Sequence, residues 1–181
     1  MASIPLPDHP LGDELVSLGP FAEAEAGILV DACNDPAIAH FTFIPAPYEL
    51  HHAVEFIGGQ DERRASGQAI DLAIRSREGA LVGAVGLRNF DAPRSSCEVG
   101  YWVTPVARGS GTAPRAVSHV CRWAFDSLRV GRIFLPADAD NRASRRVAEK
   151  AGFGLTAQRR EPVAKGRRWR MVVYALERPP A

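Results

Sequence analysis

Cysteine is scarce in this chain. The three that occur, Cys33, Cys97 and Cys121, are odd in number and widely spaced, which suggests neither a disulfide framework nor a zinc site. Lysine is scarcer, only Lys150 and Lys165, so arginine carries the positive charge. Neither sign of charge dominates. The net charge is +1 and the charged residues are spread along the chain, so no nucleic-acid partner and no membrane surface are expected. No apolar run approaches the roughly 20 residues of a membrane-spanning helix, and the start lacks a basic-then-apolar leader. A cytoplasmic protein in a reducing compartment is therefore expected. Repeats and low-complexity tracts are absent. The 181 residues suit one domain, 1–181, whose Pro-rich start (1–10) and Pro-Pro-Ala end (178–181) should fray. A chain of this size buries roughly 70% of its unfolded surface and needs no covalent staples.

What the chain does have is concentrated between Cys97 and Val117. From Cys97 to Val103 the residues are β-prone, with Val99, Tyr101 and Val103 on one face and Glu98, Gly100 and Trp102 on the other. Pro105 ends that strand. Arg108-Gly109-Ser110-Gly111 then bends tightly, and from Gly111 to Leu128 the apolar positions Val117, Val120, Cys121, Ala124, Phe125 and Leu128 recur at helical spacing. Free N–H groups at a helix start favour an anion, and Arg108 adds formal charge. Pro114 is tolerated in the first turn. Two phosphate motifs are excluded. The loop lacks the Gly-Lys-Ser/Thr ending of a P-loop, and Pro114 stands where a dinucleotide fingerprint needs its third Gly or Ala.

Around this anchor, the pattern predicts strands at Glu14–Leu18, Ala69–Ser76, Ala80–Phe90, Arg132–Leu135, Phe153–Arg159 and Trp169–Leu176. Helices are predicted at Phe21–Cys33, Pro36–Phe41, Tyr48–Ser66 and Asn141–Ala151, with Gly58-Gly59 weakening the third. The fold class is α/β, with a mixed sheet of about six or seven strands flanked by helices.

Two runs together carry a resemblance. Val106 to Ala113 resembles the Arg/Gln-x-x-Gly-x-Gly/Ala acyl-CoA signature of the Gcn5-related N-acetyltransferases, the GNAT superfamily. Asn141 to Phe153 is similar to that family's later "Asn-x-x-Ser, then Glu-Lys-x-Gly-Phe" segment. Glu98 to Trp102 and the closing Gly166 to Leu176 segment look most like its RimJ/RimL branch. The resemblance covers Ala69 to Leu176 well and the N-terminal helices in outline.

The resemblance implies a splayed parallel pair between the Cys97–Val103 and Arg132–Leu135 strands. A pantetheine arm would lie in the opening, bonded to backbone near Tyr101, Trp102 and Val103 and reached by Asn141. The amides of Arg108, Gly109, Ser110, Gly111, Thr112 and Ala113 would hold the pyrophosphate. The implied co-substrate is acetyl-CoA or another short acyl-CoA such as succinyl-CoA, with no metal, and the implied activity is direct transfer to a primary amine. The acceptor could be a protein N-terminus or a small-molecule amine.

The better-known acid and base of the family are missing, since Ala148 and Pro136 stand at the positions of its Tyr and Glu. Ser144 becomes the candidate to protonate or hydrogen-bond the sulfur, equally readable as a helix-start serine. Glu98 is the best-placed carboxylate for activating the amine, and is equally a charge on the polar face of a strand. Asp138 and Asp140 are alternates. His51 and His52 read as exposed histidines at a helix start, and His119 as a surface or interface residue of the long helix. The basic run Lys165 to Arg170 reads as a solvated hairpin that could also meet an acidic substrate or acyl group. Cys97 and Cys121 fall in buried positions, which disfavours a covalent thioester intermediate. Because the usual acid and base are missing, an acyl-CoA-binding sensor without turnover is the alternative. A nucleotide-binding module using the same glycine loop is a third reading. A homodimer through the C-terminal apolar strand is a further expectation.

Overall fold

The computed structural model describes residues 3–92 and 95–180. Two short strands, β1 (Leu11–Gly12) and β2 (Val16–Gly19), precede a 3-10 turn at Glu23–Glu25 and the helices α1 (Ala26–Cys33), α2 (Pro36–Phe41), α3 (Leu50–Gly58) and α4 (Gln60–Ala65). A meander of β3 (Ala69–Ser76), β4 (Leu81–Asp91) and β5 (Ser96–Val103) runs through the glycine loop into α5 (Thr112–Ser127). Then come β6 (Arg132–Asp138), α6 (Arg142–Lys150), β7 (Gly154–Arg160), a ribbon of β8 (Val163–Ala164) and β9 (Arg167–Arg168), and β10 (Met171–Glu177).

The main sheet has eight strands in the order β1-β2-β3-β4-β5-β6-β10-β7. Every pairing in it is antiparallel except β5 with β6. That pair holds together only at Ser96↔Arg132, Cys97↔Ile133 and Glu98↔Phe134. Both strands then continue, β5 stitched to β4 as far as Gly83↔Val103 and β6 stitched to β10 as far as Met171↔Asp138. The sheet is therefore forked at its middle, and the fork opens beyond Glu98.

Residue alternation on β5 decides what lies on each side of the fork. Cys97 and Val99 pack into a core with Val117, Val120, Cys121 and Ala124 of α5, and Tyr101 and Val103 border it. Trp102, on the opposite face, packs against a second cluster containing Leu29 of α1, Tyr48 and Ala53 of α3. These are the two faces that alternation predicts.

Several boundaries differ from the sequence reading for physical reasons. The sheet gains β1, because Asp13 closes a tight turn by accepting the N–H groups of Leu15 (2.9 Å) and Val16 (3.1 Å). The third predicted helix is split at Gly59 into α3 and α4, where the Gly-Gly pair is weakest. The first begins as a 3-10 turn, fixed to β3 by Arg75, which donates to Glu25 at 2.9 and 2.8 Å. The strand expected to stop at Leu135 runs on through Pro136 to Asp138. Beyond Phe134 it has a ladder partner on one side only, the setting that tolerates a strand proline.

The expected fraying of 1–10 also fails at Ile4. Its side chain is buried, its N–H donates to Arg64 O (2.9 Å) and its carbonyl accepts from Arg64 Nη1 (3.0 Å). At the other end Arg178 N is tied to Gly131 O at 2.9 Å, while Pro179 and Pro180 are exposed without regular structure. Met1, Ala2 and Ala181 lie outside the described residues.

Asp13 also anchors α5, accepting from Arg115 Nη1 (2.9 Å) and facing His119 Nε2 (3.2 Å). His119 is thus a partner of the β1–β2 turn rather than a free surface residue. Burial works to raise the Asp13 pKa, but the Leu15 N–H, His119, Arg115 and the Val16 N–H together hold it well below the usual carboxylate range. A depressed folded-state pKa contributes stability above the unfolded value of about 3.9, and that stability is lost as pH falls toward the folded value. Asp13→Asn should cost about 1 kcal/mol at pH 7, and the gap to the parent should close as unfolding is followed below about pH 4. Urea titrations at a series of pH values measure it.

Candidate active site

The glycine loop begins where β5 ends. Thr104 N donates to Val82 O (2.9 Å), a 3-10 turn covers Pro105–Ala107, and Ala107 N and Arg108 N donate back to Thr104 O (3.0 Å) and Pro105 O (3.2 Å). Gly109 and Gly111 then take φ values of 79° and 86°, left-handed conformations that cost a side-chain-bearing residue roughly 1–2 kcal/mol. An added Cβ would meet nothing within 4 Å at Gly109, so conformation rather than space calls for glycine there. Ser110 Oγ donates to Ala107 O (2.8 Å), and Thr112 Oγ1 lies 2.9 Å from Ser110 Oγ.

This geometry leaves a run of unengaged amides. Among the described residues, no backbone acceptor takes the N–H groups of Gly109, Ser110, Gly111, Thr112 or Ala113. All five lie at the positive end of a sixteen-residue helix. Arg108 differs from its predicted role in two respects: its amide is already bonded, and its guanidinium is paired with Asp35, the N-cap of α2. The Arg108 hydrogen bond is the main reason the Asp35 carboxyl titrates below its ordinary range. Asp35 in turn accepts from Ala37 N (3.1 Å) and Ile38 N (3.0 Å), which fixes the start of α2.

On the α5 face of the fork, α6 brings Ser144 to β5. Asn141 caps α6 through Oδ1, which accepts Ser144 N–H at 3.0 Å, and its side-chain amide nitrogen has no partner among the described residues. Tyr101 Oη donates to Ser144 Oγ at 3.0 Å. Burial pushes the phenol pKa up to about 12, partly countered by its bond to Ser144, so Tyr101 stays protonated at neutral pH. With Tyr101 as donor, the single proton of Ser144 is directed elsewhere. Alternation places Tyr101 on this face, but the sequence reading used only its backbone. The phenol's partner arrives from forty-three residues later in the chain.

On the opposite face, Glu98 sits where β5 and β6 part. Its side chain is 17% exposed, accepts from Asn89 Nδ2 (3.1 Å) through Oε2 and pairs through Oε1 with Arg160 at the end of β7. These three line a cleft of about 310 Å3, whose apolar walls are Phe43, Pro136, Pro162 and Met171. Asn89 reaches Glu98 because β4 has an irregular register between Arg88 and Asp91, with Asn89 at φ 53°. Neither Asn89, Phe43 nor Arg160 is signalled by the sequence pattern. A larger cleft of about 430 Å3, between α5 and the end of β10, contains neither the fork nor the loop amides.

The other singled-out residues have structural partners. Asp138 Oδ1 accepts Asp140 N (2.9 Å), and Asp140 pairs with Arg170 (2.9 Å). His52 Nδ1 accepts Glu49 N (3.0 Å) at the start of α3, and His51 faces Glu49 Oε2 (3.3 Å). The basic run is the exposed hairpin expected at Arg168 and Arg170, while Lys165 and Arg167 also reach α2. Lys165 Nζ donates to Ala39 O (2.6 Å), and Arg167 donates to His40 O (2.8 Å) while stacking on Trp169 at 3.8 Å. Arg168 faces Glu161 at 3.5 Å. Cys97 is buried, which pushes its thiol up to about 12, and burial drives Cys121 in the same direction. Neither is a ready nucleophile.

A forked sheet beside an amide-rich helix start offers backbone partners to an extended polar chain and to an anion. The chain belongs to the GNAT acetyltransferase family: that family's "Acetyltransferase (GNAT) domain" matches residues 16–154. Its structural relatives include the RimJ/RimL ribosomal-protein acetyltransferases. The "Putative ribosomal N-acetyltransferase YdaF" of Bacillus subtilis (strain 168) is 30% identical over 100 residues, 55% of each chain, so the match spans about half of that relative. Among solved structures, the microcin C7 self-immunity acetyltransferase MccE in complex with acetyl-CoA and AMP superposes with a TM-score of 0.80 at 20% identity, covering 93% of this chain and 97% of that one. Mycobacterium smegmatis RimJ in complex with CoA-disulfide gives 0.80 at 20% identity, covering 93% and 86%.

Gly111→Ala tests the loop directly. It should lower stability by about 1 kcal/mol and weaken coenzyme A binding about tenfold, measured by denaturant unfolding and calorimetric titration.

Proposed function

We propose that the protein transfers an acetyl group from acetyl-CoA directly to a primary amine. The observation that carries this reading is the fork itself, with unengaged amides at its mouth and an ionisable group on each face. Acyl-CoA, when bound, supplies a thioester carbonyl for attack and a thiolate as leaving group. The Gly109–Ala113 amides receive the pyrophosphate, and backbone donors on the open edge of β5 receive the pantetheine and the developing oxyanion.

The two faces divide the work. Glu98, on the cleft side, takes the proton that the amine must lose as its nitrogen bonds to the carbonyl carbon. Ser144, on the α6 side, donates a hydrogen bond to the sulfur as the carbon–sulfur bond breaks, which stabilises the departing thiolate until it takes a proton from solvent. Tyr101 holds Ser144 by donating to its oxygen, which makes the Ser144 hydroxyl a better donor. Acetyl is favoured over succinyl because Lys165 and Arg167 of the basic hairpin run, the predicted contact for an acidic acyl group, are turned to α2 and Asp138.

Thermal unfolding with coenzyme A, acetyl-CoA, succinyl-CoA and ATP tests the co-substrate. An acyl-CoA at 100 times its Kd should add about 2.7 kcal/mol, and ATP should add much less. No shift with any coenzyme A species would end the reading. Ser144→Ala should lower kcat on an accepted amine roughly 100-fold, and Tyr101→Phe roughly tenfold. Because the two act as one unit, the double variant should be no slower than Ser144→Ala, which steady-state thiol-release assays measure.

A further inference from the structure

An ammonium group brought to Glu98 must share the carboxylate with the two donors already on it. Asn89 holds Oε2 as a neutral donor, but Arg160 holds Oε1 as a cation. Arg160 comes from the end of β7, is 38% exposed at its side chain, and pairs with no other carboxylate among the described residues. The ion pair lies in the cleft itself, between the apolar walls of Phe43, Pro136, Pro162 and Met171. An amine brought to Glu98 therefore arrives within reach of a guanidinium.

A protonated amine with no anion of its own sets its ammonium beside the Arg160 guanidinium, two like charges on one carboxylate, which is unfavourable. An acceptor carrying its own carboxylate avoids that cost. Its ammonium replaces the guanidinium at Glu98, its carboxylate replaces Glu98 at the guanidinium, and every charge stays paired. Arginine suits that exchange because its planar fork can hold a carboxylate through two hydrogen bonds. A cleft of about 310 Å3 lies at the small end of the range for ligand pockets and matches a compact molecule.

We propose that the acceptor is a small amino acid-type molecule, with a free carboxylate two or three bonds from the amine and an apolar side group, and that Arg160 selects it by exchanging Glu98 for that carboxylate. The proposal rests on the transferase reading above and names its acceptor class. A peptide N-terminus differs from this acceptor, because its nearest carbonyl is a neutral amide.

The test compares apolar amino acids with their amides, for example leucine with leucinamide, using acetyl-CoA and thiol release. The parent enzyme should favour the acid at least tenfold in kcat/KM. The ratio should fall to near one in Arg160→Gln and be partly kept in Arg160→Lys. Equal rates on acid and amide, or a preference for the amide or for a peptide N-terminus, would overturn the acceptor class and leave the transferase standing. A preference that instead follows the acyl donor, with succinyl-CoA outrunning acetyl-CoA on a neutral amine, would also overturn it by assigning Arg160 to the acyl chain. Calorimetry with leucine and leucinamide in the presence of coenzyme A, with no acyl donor, reads the exchange without turnover. Tighter binding of the acid by at least tenfold, lost in Arg160→Gln, supports the proposal even if no amine is acetylated, and equal binding sinks it.

Discussion

Two parallel strands that stop sharing hydrogen bonds after three residue pairs leave polar backbone groups facing each other across a gap, and such groups need partners. The rest of the molecule keeps that gap open. Each strand of the fork is stitched along its outer side to a neighbour, β5 to β4 and β6 to β10, so neither can move to close it. Pro136 on β6 lacks the N–H that a restored ladder would use. α5 supports one face with an apolar core, while α1 and α3 support the other through Trp102. The opening is thus a rigid feature of the sheet, suited to an extended amide-bearing arm.

The same constraint separates the chemistry. Because side chains alternate along β5, Glu98 and Tyr101 must lie on opposite faces, about 10 Å apart along the strand. One is built into a cleft by β4 and β7, the other into a hydrogen bond with α6. The gap is therefore flanked by a carboxylate on one side and a pair of hydroxyls on the other.

What could be read in advance follows from the range of each signal. The anchor strand, the glycine loop and α5 were legible because period-two and period-3.6 patterns and positive-φ glycines are local. The fork was legible only through the family resemblance, since an absent pairing leaves no trace in periodicity. Asn89, Arg160 and Phe43 were not legible at all. Asn89 depends on a register irregularity in β4, and the others come from segments 55 residues before Glu98 and 62 after it. Within the basic run, the contacts of Lys165 and Arg167 were not legible because their partners, the carbonyls at the end of α2, lie more than 120 residues earlier.

The short helix α2 has a place in the molecule that its six residues conceal. Its first turn is capped by Asp35, which pairs with Arg108 of the glycine loop, and its last carbonyls accept from Lys165 and Arg167 of the ribbon beside the Glu98 cleft. One short helix thus ties together the glycine loop and the rim of the cleft, two regions that lie far apart in the sequence.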